Sequence, residues 1–184
     1  GLEAVVERTG ASFIHPYDNE QIIAGQGTAA KELLEEHPDL DIVIAPVGGG
    51  GLLSGTAIAS KSIKPEITVL AAEPKGADDA FRSFKSRTFI PSVNPKTICD
   101  GLLTSLSDLT LSVIQKYTDD IITVEEENII KAMQLIWTRM KIIVEPSSAV
   151  TLAAILENRS AFAGKKTGII ISGGNVELNK LPFN

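Results

Sequence analysis

The sequence of 184 residues has a single cysteine, no long apolar run and no excess of positive charge. Because Cys99 is alone, an intrachain disulfide and a cluster of thiolate metal ligands are both excluded, and a reducing, cytoplasmic setting is favoured. No apolar stretch approaches the roughly 18 residues of a membrane span, and the first residues do not resemble a signal peptide. We therefore expect no membrane partner.

Positive charge is scarce. Lys and Arg number 17 against 23 Asp and Glu, which gives a formal net charge of −6 and an isoelectric point near 5.0. Without a basic patch or aromatic residues interleaved with cations, nucleic acid is not expected as a partner. The 43% hydrophobic content and the mean hydropathy of +0.14 indicate one α/β domain or a little more.

A run of four glycines is the most distinctive feature of the chain. The apolar stretch from Ile42 to Val47 predicts a buried strand, Gly48 to Gly51 interrupt it, and a helix-compatible stretch begins at Leu52. Such a turn leaves backbone N–H groups free at a helix N-terminus, an arrangement that suits a phosphate. The spacing matches neither a Walker A loop nor Gly-x-Gly-x-x-Gly. The alternative is a flexible connector without a ligand.

Strands and helices alternate along most of the chain. Strands are predicted at residues 11–15, 42–47, 67–72, 121–124 and 167–171, and Trp137 and Met140 are predicted to lie in the core. The alternation predicts a three-layer αβα fold with a doubly wound, mostly parallel sheet. Three loops that follow strands, at residues 48–51, 73–79 and 172–175, should then gather at one edge of the sheet.

The acidic segment at residues 73–79 allows two interpretations. Glu73 and Asp79 supply hard oxygen donors of the kind that Mg²⁺ or Ca²⁺ prefers. Alternatively, the segment is a solvated turn in which Asp78 or Asp79 caps the next helix. His15, beside a proline, is interpreted as a packed or solvent-facing residue rather than a catalyst.

Several short motifs, in order along the chain, carry a resemblance to a known family. They are Val47-Gly48-Gly49-Gly50-Gly51-Leu52, Ala72-Glu73-Pro74 with Ala77-Asp78-Asp79, Asp100-Gly101, Val144-Glu145-Pro146 and Ser172-Gly173-Gly174-Asn175-Val176. Together they resemble the serine racemase and serine/threonine dehydratase (threonine ammonia-lyase) family, which are fold-type II pyridoxal phosphate enzymes. The resemblance implies that residues 1–17 end a small substrate domain and that 18–184 form the C-terminal part of the large cofactor-binding domain.

The resemblance also implies site residues. Gly48, Gly49, Gly50, Gly51 and the backbone of Leu52 would bind the phosphate of pyridoxal 5'-phosphate, and Ser172 would hydrogen-bond the pyridine nitrogen. A metal site at Glu73, the Ala77 carbonyl and Asp79 would hold Mg²⁺ (or Ca²⁺ or Mn²⁺), so the resemblance favours metal over helix capping. Lys141 and Asn175 match positions that contact a nucleotide effector in eukaryotic racemases. Glu145 is either a residue near the cofactor or a carboxylate at a helix start.

Two motifs of that family do not occur in these 184 residues. One is Ser-Phe-Lys-x-Arg-Gly, which carries the Schiff-base lysine, and the other is the Ser-x-Gly-Asn-His loop that holds the substrate carboxylate. The stretch Ser83-Phe84-Lys85-Ser86-Arg87 imitates the first but follows the acidic segment and precedes Thr88, so we interpret Lys85 as a coincidence. No catalytic residue is therefore assigned here, and we expect a longer protein.

The expected activity of the complete protein follows from the resemblance. A dehydratase would convert serine or threonine to a 2-oxo acid and ammonia, and the protein would form a homodimer. Serine racemase with side dehydratase activity is one alternative. A non-catalytic domain that binds pyridoxal phosphate or a metal is the other, because the Schiff-base lysine is absent.

Overall fold

A parallel sheet of four strands forms the centre of the computed structural model, which describes residues 1–183. The strands are β1 (Ile42–Pro46), β2 (Thr68–Pro74), β3 (Asp120–Val124) and β4 (Thr167–Ile169), in the spatial order β3-β2-β1-β4. In the register, Val43 lies opposite Val69 on one side and Gly168 on the other. All five residues of β1 are buried, as expected of a central strand in a parallel sheet.

Helices cover both faces of the sheet. The helices are α1 (Leu2–Thr9), α2 (Glu20–Glu36), α3 (Gly51–Ile63), α4 (Asp79–Ser86), α5 (Asp108–Tyr117), α6 (Glu126–Met140), α7 (Pro146–Glu157) and α8 (Arg159–Phe162). One face packs mainly against α2, α3, α4 and α5 and the other mainly against α6, α7 and α8. Because successive side chains of a strand point to opposite faces, Val43 and Ala45 join the first core while Ile42 and Ile44 join the second. The three-layer αβα fold is thereby confirmed.

Local sequence explains several helix boundaries. The Oδ1 atom of Asn19 accepts hydrogen bonds from the N–H groups of Gln21 and Ile22, so Asn19 caps α2. The side chain of Ser107 caps α5. Pro146 is the first residue of α7, a position whose N–H makes no hydrogen bond within the helix, so proline causes no loss there.

The strand order reverses between β1 and β4. From β1 the chain adds β2 and β3 on one side, and it then returns to place β4 on the other side. In an open parallel sheet, the loops that leave two such neighbours diverge and open a crevice at the carboxyl edge. The glycine turn follows β1 and the Ser172 segment follows β4, so both border this crevice.

Two sequence predictions about the fold are wrong. Residues 11–15 form no strand: Phe13 and Ile14 are 53% and 64% exposed and pair with no other strand of the described chain, while Nδ1 of His15 accepts a hydrogen bond from Asp18 N at 2.9 Å. Met140 is 61% exposed, because α6 ends there and Lys141 turns the chain in a left-handed conformation. Trp137 is half-buried against the second core and donates from Nε1 to the Val144 carbonyl.

Within residues 1–183, no helix has the length and the hydrophobicity that crossing a membrane requires.

Candidate active site

A cavity of about 320 Å³ opens at the switch point between β1 and β4. All six residues predicted to bind the cofactor line it, so the structure brings together residues that are up to 124 positions apart in the sequence, from Gly48 to Ser172. The complete lining consists of Pro16, Tyr17, Pro46, Gly48, Gly49, Gly50, Gly51, Leu52, Gly101, Leu102, Thr104, Glu145, Ser147 and Ser172.

The glycine turn forms one wall of the cavity. Gly50 has φ of +87°, a left-handed conformation that side chains disfavour, and α3 begins at the next residue. No side chain of the described residues caps α3, and its first turn contains no acidic residue. The first N–H groups of this 13-residue helix therefore have no side-chain acceptor in the described chain and can bind a ligand. The positive end of the helix dipole lies in the same wall of the cavity.

The Ser172 turn also lines the cavity and is held by the start of α7. Glu145 N donates to the Gly173 carbonyl at 3.0 Å, and Oε2 of Glu145 accepts from Asn175 N at 3.0 Å. The Oγ atom of Ser148 accepts from Ser172 N at 2.7 Å. These contacts fix the turn, so the hydroxyl of Ser172 is presented from an ordered backbone.

Fixed charge is nearly absent from the cavity. Among the lining residues that the structure describes, Glu145 is the single ionisable carboxylate, and none is Lys, Arg or His. A ligand phosphate bound by this chain would thus be held by backbone N–H groups and a helix N-terminus, as in other glycine-rich anion sites.

Glu73 lies at the carboxyl end of β2 and is 1% exposed. Its two carboxylate oxygens accept hydrogen bonds from Ala80 N at 2.9 Å and Phe81 N at 2.8 Å. Glu73 therefore caps α4, and the alternative interpretation, in which Asp78 or Asp79 caps this helix, is wrong, since neither makes a side-chain cap. Burial raises the pKa of Glu73 to about 8, although the two N–H groups oppose the shift.

Asp79 is the second buried carboxylate of this region. It is 1% exposed, and neither of its oxygens has a hydrogen-bond partner within residues 1–183. Burial raises the pKa of its carboxyl as well, although its own N–H and the Ser92 hydroxyl, neither of them in good hydrogen-bond geometry, oppose the shift. Ala77 is buried in a 3-10 turn, Lys75–Ala77, between the two acids. The described residues contain no group of three Asp, Glu, His or Cys side chains arranged to hold a metal, so a cation here would need carbonyl and water oxygens too.

The acidic turn follows β2 at the same edge of the sheet, yet none of its residues lines the described cavity. The prediction that the three loops gather at one edge of the sheet is therefore confirmed, but the glycine and Ser172 turns line this cavity and the acidic turn does not.

Comparison with known proteins decides the family. A family model described as "Pyridoxal-phosphate dependent enzyme" matches residues 2–173. The chain belongs to the pyridoxal-phosphate dependent enzyme family. It is 52% identical to beta-hydroxyaspartate dehydratase of Paracoccus denitrificans over 98% of this chain and 57% of that relative. It is 54% identical to serine racemase of Dictyostelium discoideum, over 96% of this chain and 56% of the relative.

Solved structures of this family share the fold. The crystal structure of the Dictyostelium discoideum serine racemase superposes with a TM-score of 0.90 over 96% of this chain and 57% of the other. The structure of maize serine racemase gives a TM-score of 0.91 at 45% identity, over 96% of this chain and 55% of the other. A crystal structure of a threonine deaminase also gives a TM-score of 0.91, at 42% identity. The chain thus spans little more than half the length of the curated relatives it matches.

The remaining candidates of the sequence lie outside the cavity. Lys85 is exposed and pairs with the Asp120 carboxylate at 2.6 Å, where β3 begins, which is the edge of the sheet opposite the cavity. Its role is thus an ordinary surface ion pair. Lys141 and Asn175 are both exposed, and the N–H of Asn175 serves to hold the Ser172 turn.

Sequence reasoning missed three residues of this site. Tyr17 packs its ring over Gly49, Ser147 accepts a hydrogen bond from Gly101 N at 3.1 Å, and Ser148 holds the Ser172 turn. For Ser147 and Ser148 the sequence did contain an indication, namely two adjacent serines directly after Pro146. Serine at a helix start often forms hydrogen bonds with backbone N–H groups.

Cys99 gives a simple check of the packing. It is fully buried, and burial raises the pKa of its thiol to about 12. Since the thiolate is the reactive form, we expect no reaction of the native protein with a thiol reagent at pH 8, and reaction of this one thiol after denaturation. Rapid labelling of Cys99 in the native protein, located by peptide mass, would contradict this packing.

Proposed function

We propose that this chain is part of a pyridoxal phosphate dependent dehydratase that converts a β-hydroxy amino acid to a 2-oxo acid and ammonia. The observation that carries the proposal is the cavity at the switch point, which is lined both by an uncapped helix N-terminus and by Ser172 with its neutral hydroxyl. The names of two relatives support it, since beta-hydroxyaspartate dehydratase and L-threo-3-hydroxyaspartate ammonia-lyase both act on amino acids with a β-hydroxyl group.

The glycine turn is proposed to bind the cofactor phosphate. Gly48 to Gly51 and Leu52 line the cavity, and no side chain of the described residues caps the first turn of α3. An anion there would gain hydrogen bonds that the protein itself does not supply, together with the favourable end of the helix dipole. The residues present therefore fit the phosphate.

Ser172 is proposed to donate a hydrogen bond to the pyridine nitrogen. A hydroxyl, unlike a carboxylate, does not hold a proton on that nitrogen, so the ring withdraws electrons less strongly. The bound cofactor supplies the electron sink that allows bonds at the substrate Cα atom to break. A weaker sink suits the loss of a β-hydroxyl group, and it also suits reprotonation at Cα, which is the step of a racemase.

A divalent cation is proposed at Glu73, the Ala77 carbonyl and Asp79, with Mg²⁺ preferred over Ca²⁺ or Mn²⁺. Two buried carboxylates lie in one turn, and both oxygens of Asp79 lack a partner in the described chain. An unpaired buried carboxylate is costly, and a hard cation would offset that cost with charge and coordination. The cation would act on the stability of the turn, because this turn does not line the cavity.

Further parts of the proposal rest on resemblance. The lysine linked to the cofactor and the loop that holds the substrate carboxylate would come from outside these 184 residues. The proposed protein is a cytoplasmic homodimer, with residues 1–17 ending the small domain and 18–184 in the large one. Lys141 and Asn175 are proposed contacts of a nucleotide effector.

Substitution of Ser172 tests the proposed function. In the complete protein loaded with pyridoxal phosphate, we expect Ser172→Ala to slow 2-oxo acid release from L-serine, L-threonine or 3-hydroxyaspartate by roughly 10- to 100-fold, because a hydrogen bond to the reacting ring system is lost. Ser112→Ala, which removes an exposed hydroxyl on α5, is the control and should be unchanged.

Chiral analysis of the same reactions separates the candidates. Release of 2-oxo acid and ammonia supports the dehydratase, whereas conversion of L-serine mainly to D-serine would assign the racemase. If the complete protein binds pyridoxal phosphate but produces neither, the non-catalytic alternative replaces both.

A further inference from the structure

We infer that Ser148 is a positioning residue for the cofactor ring and that it acts through Ser172. The inference rests on the proposed function, since it assumes that Ser172 meets the pyridine nitrogen. Ser148 itself does not line the cavity, and it is fully buried in the first turn of α7.

The contacts of Ser148 converge on a single oxygen atom. Its Oγ accepts a hydrogen bond from Ser172 N at 2.7 Å and another from Gly173 N at 3.3 Å. The Ser172 hydroxyl also donates to it, at the longer distance of 3.4 Å. The first two contacts hold the backbone of the Ser172 turn, and the third involves the Ser172 hydroxyl itself.

The three contacts differ in strength. A hydroxyl oxygen has two lone pairs, and two N–H groups already use them, so the 3.4 Å contact is the weakest of the three. The Ser172 hydroxyl can therefore exchange this contact for a ring nitrogen, while both N–H contacts keep its backbone in place. Ser148 thus anchors the turn and leaves the Ser172 proton free to be donated.

Neighbouring serines show that this arrangement is specific to Ser148. Ser147, in the same helical turn, accepts from Gly101 N and does not contact the Ser172 turn. Ser54 and Ser60 are as deeply buried in α3, yet their hydroxyls have no hydrogen-bond partner in the described chain. Burial of a serine in this protein therefore does not by itself produce such a set of contacts.

A cofactor analogue isolates the ring nitrogen. The apo form of the complete protein is titrated with pyridoxal phosphate and with its 1-deaza analogue, in which carbon replaces the ring nitrogen. We expect Ser148→Ala to weaken pyridoxal phosphate binding about 2- to 10-fold, as for the loss of one hydrogen bond, and to leave the affinity for the deaza analogue unchanged. Ser60→Ala, which removes a buried helical hydroxyl elsewhere, should change neither affinity.

The outcomes separate this inference from the proposed function. An equal loss of affinity for both ligands in Ser148→Ala would assign Ser148 a structural role only and overturn the inference. Ser172→Ala could lower the preference for pyridoxal phosphate over the deaza analogue while Ser148→Ala leaves that preference unchanged. In that case the inference also fails, but the proposed function stands. A wild-type protein that binds neither ligand would overturn the proposed function itself.

A second variant covers a failure of Ser148→Ala to fold. Ser148→Cys keeps nearly the same shape but offers a weaker acceptor. It should lower the preference for pyridoxal phosphate over the deaza analogue in the same direction and by a smaller factor. An unchanged preference in a folded Ser148→Cys protein would count against the inference.

Discussion

Replacement of Gly55 with alanine is expected to destabilise the protein by about 3 kcal/mol. Helices α2 and α3 cross at this residue, and a Cβ atom on Gly55 would lie 2.3 Å from the Ile23 carbonyl oxygen and 2.5 Å from Gly27 N. Both are backbone atoms, so no side chain can move aside and the two helices must separate. Denaturant unfolding followed by circular dichroism measures the loss.

The consequence of this substitution extends to the cavity. Helix α3 begins at Gly51, within the glycine turn proposed to bind phosphate, so a shift of α3 moves the N–H groups of that turn. We therefore expect the affinity for pyridoxal phosphate to fall together with stability.

A matched glycine in α2 is the control for this prediction. Gly25 is exposed, and an added Cβ atom would meet nothing within 4 Å. Gly25→Ala should stabilise the protein by about 0.5–1 kcal/mol, because alanine loses less conformational entropy in a helix. Equal free energies of unfolding for the two alanine variants would show that the α2–α3 crossing is not as close as described.

The sequence could predict those features that depend on residue type over a short window. The buried strand β1, the glycine turn and the helix after it were predictable, because β-branched residues, glycines and small residues each limit the backbone locally. The gathering of the loops at one edge of the sheet followed from the alternation of strands and helices, which indicates a parallel sheet.

The features that were missed depend on contacts between distant segments. Residues 11–15 have the composition of a strand, but no neighbouring strand of the described chain is available to pair with them. The capping of α4 by Glu73 requires the carboxyl end of β2 to lie beside the start of that helix. Ser148 contacts a turn 24 positions further along the chain. No short sequence pattern indicates contacts between residues that lie so far apart in the chain.

The second large effect concerns the two buried acids. In the presence of a chelator, we expect the free energy of unfolding to fall as the pH rises from about 5 to 8. The unfolded chain releases the Glu73 proton near pH 4.5, whereas burial keeps the pKa of Glu73 in the folded protein at about 8. Between these values the unfolded state binds fewer protons, so rising pH favours unfolding by up to about 1.4 kcal/mol per pH unit for one proton.

Two substitutions identify which residue causes this slope of the free energy of unfolding against pH. Glu73→Gln should remove most of it, because glutamine does not titrate, whereas Glu66→Gln, at an exposed position, should retain it. The comparison uses the slope and not the absolute stability, since glutamine cannot accept from both N–H groups at the start of α4. The same slope in Glu73→Gln and in the wild type would show that Glu73 is ionised in the folded protein.

Addition of Mg²⁺ should reverse the pH dependence. A divalent cation binds the ionised forms of Glu73 and Asp79, so it competes with protons and gains affinity as the pH rises. Because it binds the folded protein alone, at about 100 times its dissociation constant it would stabilise by about 2.7 kcal/mol. The melting temperature should therefore rise on addition of Mg²⁺ at pH 8, much less so at pH 5, and not at all in Asp79→Asn. Equal melting temperatures with Mg²⁺ and with chelator at pH 8 would overturn the proposed cation. A buried proton would then be the remaining way to neutralise the Asp79 carboxylate, because neither of its oxygens makes a hydrogen bond within the described residues.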